Sequence, residues 1–287
     1  MNSRISTVVS VALCLIAVSC TSDDPAATTE ATVETTVDDP SGNTTAPTEA
    51  AETTEAPFDR LVDLVVEPPP WEDVTITTED GIDLYARYWP GGSTALLVGH
   101  DYSVTTSGAF GQRPDQSSEV FLQFTGTFAN EGYAVLSPDF RGHGQSGGEF
   151  RPQDGVIDLE AAYLYLAEQG YNKIVMVGWI GSGTTAVVLD GADEDVDFDG
   201  IALLFSPPQD HGMDANGYLE DLDAPTFFIA SNQGASASWA RRMSNKATNS
   251  VGAYVFENVP TGLTFTDVFG SEFVGRILDF ADSVEGR

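Results

Sequence analysis

Any bond-breaking chemistry in this chain has to begin from a few oxygens and imidazoles. The stretch Ile174-Val-Met-Val-Gly178-Trp179-Ile180-Gly181-Ser182-Gly183 is an apolar run entering a glycine-rich turn, and Thr184-Thr-Ala-Val-Val-Leu189 continues it as a helix. A strand, sharp turn and helix written Gly-x-Ser-x-Gly is a setting that presents a serine oxygen for attack. Here the tip of the turn is Ile180, which carries no nucleophilic atom. Ser182 lies close by, but a nucleophile at such a turn needs small residues two before and two after it. Around Ser182 those places hold the β-branched Ile180 and Thr184, so its expected role is to cap or pack at the helix start.

An oxygen nucleophile also needs a proton acceptor, and the chain has only three histidines, His100, His143 and His211, none of them beyond residue 211. Asp210 precedes His211, which makes Asp210, His211 and Ser182 the fallback catalytic set. Three scattered histidines without a thiolate near them have no metal-ligand spacing, so no metal and no cofactor is expected.

The two cysteines, Cys14 and Cys20, both lie at the extreme N-terminus. Arg4 followed by an apolar run over residues 8–18 reads as an export signal ending near residue 19, too short for a comfortable membrane span. Residues 20–57 read as a disordered tether: from 21 onward they are mostly Thr, Ala, Glu, Asp and Pro with no Lys, Arg or aromatic residue, and cannot bury enough apolar surface to offset ordering. Across the whole chain 44 acidic residues oppose 12 basic ones, for a formal charge of −32. That charge repels phosphate backbones and anionic lipid, so nucleic acid is excluded as a partner.

From residue 74 onward, strand-like runs alternate with helix-length segments, which predicts an α/β domain over residues 58–287 with a mostly parallel, twisted sheet covered on both faces. Residues 74–78 and 82–89 flank Glu79-Asp80-Gly81, a hairpin signal. Further strands are predicted at 95–99, 133–137, 174–179, 200–205, 226–230 and 253–256. Helices are predicted at 117–130 with Val120, Phe121, Phe124 and Phe128 inward, at 156–169 with Ile157, Ala161, Leu164 and Ala167 inward, at 239–247 and at 272–283.

The stretch Ser137-Pro-Asp139-Phe-Arg141-Gly142-His143-Gly144-Gln-Ser146-Gly147-Gly148 closely resembles a turn of the α/β-hydrolase fold family, in its serine aminopeptidase and monoglyceride-lipase-like branch. The resemblance covers roughly residues 74–283 and implies a serine, an acid and a histidine on three loops, with the nucleophile first and the histidine last. It sets Ile180 at the nucleophile, Gly234 at the acid and Thr264 at the histidine, so no catalytic residue is expected at any of the three. It also places His100, Asp101, Tyr102, Trp179 and Gly181 around an oxyanion-hole-like cleft with Phe265 as a further wall, gives His143 a structural role, and makes residues 103–116 a flap. The short 208–224 segment implies no cap domain. Ala17-Val18-Ser19-Cys20 resembles a bacterial lipobox, departing from it at Ala17, and implies lipidation of Cys20 on the extracytoplasmic side of the cell membrane.

The resulting expectation is an exported, lipid-anchored protein without a triad that binds a small molecule, a peptide or an envelope protein. The alternative is a weak or unconventional ester or amide hydrolase using Ser182. Because a β-branched residue at positive φ is strained, the turn at Ile180 is expected to relax, with Gly181 or Gly183 taking the unusual dihedral.

Overall fold

The computed structural model describes residues 58–65, 67–101, 119–257 and 264–286. The expected signal segment, Cys20, the 20–57 tether, Tyr102 and the 103–116 flap lie outside these residues. Among the described residues ten strands and five α-helices follow one another in chain order: β1 Glu72–Thr77, β2 Asp83–Trp89, β3 Ala95–Gly99, α1 Glu119–Asn130, β4 Ala134–Pro138, α2 Gly155–Glu168, β5 Ile174–Trp179 and α3 Gly181–Ala192. There follow β6 Gly200–Leu204, the short pair β7 Gln209–Asp210 and β8 Met213–Asp214, β9 Thr226–Ser231, α4 Ser236–Lys246, β10 Ser250–Phe256 and α5 Thr264–Glu285.

Eight strands form one sheet in the order β1-β2-β4-β3-β5-β6-β9-β10. Strand β2 runs antiparallel to both β1 and β4, and all other neighbours are parallel. The central strands β3, β4, β5, β6 and β9 are buried along their whole length, as strands covered on both faces must be. Alternate side chains feed two separate cores. Leu97, Met176 and Leu203 point toward Leu159 and Leu166 of α2, Ala186 and Val187 of α3 and Met243 of α4. Leu96, Val98, Val175 and Val177 point the other way, toward Phe121, Phe124 and Phe128 of α1 and Phe273, Ile277 and Phe280 of α5. Phe58 and Val62 join this second core, and Arg60 pairs with Glu131 and Asp282, so residues 58–62 strap α5 to α1. Between β6 and β9 the chain makes only the β7–β8 hairpin and a 3-10 turn at Ala215–Gly217, with no helical cap.

The inward stripe of α2 differs from the expected one. Its buried residues are Gly155, Asp158, Leu159, Ala162 and Leu166, whereas Leu164 is 41% exposed. The difference has an electrostatic cause. Asp158, fully buried, receives the backbone N–H and Nε–H of Arg141, both at 2.8 Å. A carboxylate therefore occupies a core-facing place that hydrophobicity alone assigns to an apolar residue. Arg141 also reaches Asp80 at 2.7 Å and Asp154 at 3.1 Å. Its hydrogen bonds hold the Asp80 carboxyl down at about 2, while burial pushes that of Asp158 up against the same guanidinium.

A second carboxylate, the half-buried Asp190 on α3, has no ion-pair partner among the described residues. Its Oδ1 accepts the Phe198 N–H at 2.6 Å. Burial, with smaller contributions from Asp197 and Asp223, raises its pKa from 3.8 to about 6, against the opposing pull of that hydrogen bond. The folded state therefore holds a proton that the unfolded chain has released, and stability falls as pH rises from about 4 through about 6. The effect is roughly 2–3 kcal/mol at neutral pH. Asp190→Asn keeps an acceptor for Phe198 and removes the charge, so its urea midpoint should rise above wild type at pH 7.5 and match it near pH 4; equal midpoints at both pH values would contradict this account of Asp190.

Candidate functional site

The candidate site is the turn between β5 and α3. Ile180 sits there with φ 50° and ψ −107°. The expected relaxation does not occur: Ile180 itself takes the left-handed φ, and neither Gly181 nor Gly183 does. The reason lies in the packing around the turn. A Cβ on Gly178 would sit 2.4 Å from Cα of Gly183, and one on Gly99 would sit 2.8 Å from Cβ of Ser182. A Cβ on Gly183 would meet Oγ of Ser206 at 2.1 Å. Strand, helix and the ends of β3 and β6 approach closer than any side chain allows, and only a sharp turn joins β5 to α3 at that separation. Strain of this kind costs on the order of 1–3 kcal/mol. It is offset by the Ile180 side chain, half-buried against the aromatic core, and by its N–H, which donates to Leu204 O at 2.8 Å.

Ser182 ties this arrangement together. It is fully buried, and its Oγ accepts the Trp179 N–H at 2.8 Å. The hydroxyl lies 2.9 Å from Gly99 O and 3.1 Å from Trp179 O, so its one proton stays within reach of two carbonyls. Thr184 Oγ1 donates to Pro207 O at 2.6 Å and Thr185 Oγ1 to Gly181 O at 3.0 Å. The hydroxyls nearest the turn are thus bound to backbone. Trp179 is buried against Phe124, Phe205 and Phe273, with ring centroids 5.6–5.8 Å apart.

The other two positions set by the resemblance follow β9 and precede α5. Gly234 stands at φ 73° in the turn after β9. That turn is closed by Ser236 Oγ donating to Ser231 O at 2.9 Å and by the Gln233 N–H donating to Ser231 Oγ at 3.1 Å. Asn232 donates its side-chain amide to the Glu257 carboxylate. Thr264 is the first residue of α5.

The three histidines are distributed elsewhere. His100 is buried, and its Nε2 accepts the Phe140 N–H at 3.1 Å. Its Nδ1 therefore carries the proton and donates to Asp101 O at 2.9 Å. His143 is buried too, donates Nδ1–H to Arg141 O at 3.1 Å, and stacks edge-on against Phe150. Around it the 139–148 turn is a structural knot. Asp139 accepts the Gln145 N–H, Ser146 Oγ donates to Asp139 O at 2.5 Å and accepts the Tyr85 N–H at 2.8 Å. A Cβ on Gly144, which has φ 48°, would strike the Asp139 carboxylate at 2.0 Å.

His211 sits at the tip of the β7–β8 hairpin with φ 47°, followed by Gly212 at φ 89°, the two left-handed residues that a two-residue hairpin turn demands. Its Nδ1 lies 2.9 Å from Asp210 Oδ1, and a shallow cavity of about 310 Å³ is lined by this hairpin alone. The structure brings Asp210 and His211 together but makes no hydrogen bond from either to Ser182, whose hydroxyl is taken up at Gly99 and Trp179. Among the described residues no group of three His, Cys, Asp or Glu side chains is placed to hold a metal ion, and no helix is long and apolar enough to cross a membrane. Gly99 and Ser206 shape the turn without having been singled out in the sequence. The only local sign was a small residue at the end of each neighbouring strand.

Comparison with protein-family models and with curated sequences finds no match. Solved structures do resemble the chain. The Pyrococcus furiosus esterase Pf2001 superposes with a TM-score of 0.62 at 17% identity, covering 79% of this chain and 98% of the esterase. Est1E from Butyrivibrio proteoclasticus, solved with ferulic acid bound, gives 0.58 at 14% identity over 73% of this chain and 99% of its own. The Exiguobacterium antarcticum esterase EaEST gives 0.59 at 12% identity over 74% and 100%. The chain has the α/β-hydrolase fold.

If Ser182 is a clamp, its removal is a stability defect. Ser182→Ala strands the buried Trp179 N–H and the Gly99 carbonyl, at a cost of about 3 kcal/mol. A denaturant titration showing a loss below about 1 kcal/mol would remove the clamp from the account.

Proposed function

We propose that this α/β-hydrolase-fold chain is a non-catalytic binding protein, exported and held at the outer face of the cell membrane by lipid on Cys20. Its ligand would be a small molecule, a peptide or another envelope protein. The observation that carries this reading is Ile180 in the dihedral of a nucleophile-bearing turn, with no oxygen to present. Three further facts support it. Ser182 is bonded to backbone on both sides. The two buried histidines have ring nitrogens engaged at Phe140, Asp101 and Arg141. No histidine follows residue 211, where the fold's last loop would need one.

General-base catalysis requires an imidazole or carboxylate within about 3.2 Å of the proton to be taken. Placing a hydroxyl at residue 180 supplies the nucleophile, but no histidine follows residue 211 to serve it from the fold's last loop. Lipid anchoring is supported by the apolar leader and the Ala-Val-Ser-Cys sequence ending at Cys20; two acyl chains give stable attachment where a single chain is marginal.

The esterases that share the fold make carboxylic-ester hydrolysis by Ser182 the competing reading. The two separate on short-chain nitrophenyl esters. The full-length protein and its Ile180→Ser variant should both hydrolyse at the buffer rate, without saturation. Saturable turnover in the wild type that Ser182→Ala abolishes while the protein stays folded would establish the hydrolase instead.

A further inference from the structure

Away from the β5–α3 turn, the edge of the sheet carries a second feature. Among the described residues strand β1 has β2 as its sole neighbour, so alternate residues turn their N–H and C=O groups away from that pairing, along the sheet edge. Natural edges are commonly blunted by proline, lysine or a bulge. Within β1, Glu-Asp-Val-Thr-Ile-Thr, the only charges lie at the start, and its pairing with β2 runs without a register shift.

Beside this edge, α2 and β1 enclose a groove of about 490 Å³. Its α2 wall is apolar, formed by Ile157, Ala161, Leu164 and Tyr165, and Leu164 is 41% exposed. Ala161 and Tyr165 still pack against the margin of the core, whereas Leu164 is left outward because Asp158 and Leu159 take the inward register. The rim carries Glu79, Glu160 and Glu168, and among the described residues no lysine or arginine lines the groove. Among the described residues none of these three glutamates has an ion-pair partner. The crowding is felt at Glu160, whose carboxyl is raised by burial and by Asp193, Glu79 and Asp195.

We infer that the β1–α2 groove is a docking site for an extended, cationic, partly apolar peptide segment of another protein, added to the sheet as a strand on β1. Backbone pairing along that edge supplies affinity, while pockets and charges beside it choose the side chains. Apolar side chains would lie over Ala161 and Leu164, and basic ones would meet the glutamate rim. A second copy of this chain would set the same carboxylates against each other, and residues 21–57, acidic and without Lys or Arg, carry the wrong sign as well.

The test uses the full-length chain and a peptide of alternating lysine and valine matched to the six residues of β1, with the glutamate–valine peptide as control. Calorimetry should show binding of the first, weakened by salt, and none of the second. Amide exchange along β1 should slow on binding. Leu164→Lys and Glu160→Lys, both at the groove surface, should each weaken binding by about tenfold. Weaker binding in either variant together with slowed β1 exchange supports the site. The inference is overturned if the lysine–valine peptide does not bind, if neither variant changes its affinity, or if β1 exchange stays as fast as before.

Discussion

The close approach of β5, α3 and the end of β3 is the constraint on which the centre of this structure depends. A side chain on Gly178, Gly183 or Gly99 would collide with Gly183, Ser206 or Ser182 respectively, and Ser182 fills the remaining gap with a hydroxyl that binds both neighbours. Once those contacts are made, the residue between Trp179 and Gly181 has almost no choice of dihedral. Ile180 accepts a positive φ because the packing on either side of it outweighs about 1–3 kcal/mol of local strain. The geometry that in an enzyme presents a nucleophile is, in this chain, a consequence of how tightly the sheet and helix are packed. It persists with a hydrocarbon at its tip.

The same logic explains the 139–148 turn. Its residue types look like site residues, yet each side chain is committed to the fold. Asp139 caps the turn, Arg141 gathers Asp80, Asp154 and Asp158, and Ser146 bridges Asp139 to Tyr85. Removing Arg141 would leave the buried Asp158 carboxylate without its cation, a strongly destabilising change. The turn thereby fixes where β4 ends and how α2 sits on the sheet, and so which face of α2 is left outward beside β1.

Much of the architecture was legible from residue order. Apolar runs of strand length separated by helix-length segments led to the eight-stranded sheet, and Phe121, Phe124 and Phe128 do pack inward from α1. Three readings needed contacts that no local pattern contains. The stripe of α2 was assigned by hydrophobicity, but Asp158 is buried because Arg141 is there to meet it. The relaxation expected at Ile180 weighed its φ penalty locally, while the restraint comes from Gly99, far away in the chain. The resemblance set His100 beside a cleft, and what no local pattern contains is that its ring is held between Phe140 N–H and Asp101 O. The ends of α4 and α5 were also misjudged, α4 beginning at Ser236 and α5 already at Thr264.

The account stands or falls on whether any oxygen in this fold can be activated. The most direct measurement is the intact mass of the folded, full-length protein after prolonged exposure to a reactive fluorophosphonate, with peptide mapping of any adduct. The account predicts an unchanged mass, because Ser182 is buried and bonded to backbone and residue 180 has no oxygen. A stoichiometric adduct on Ser182, lost on denaturation before labelling, would contradict it.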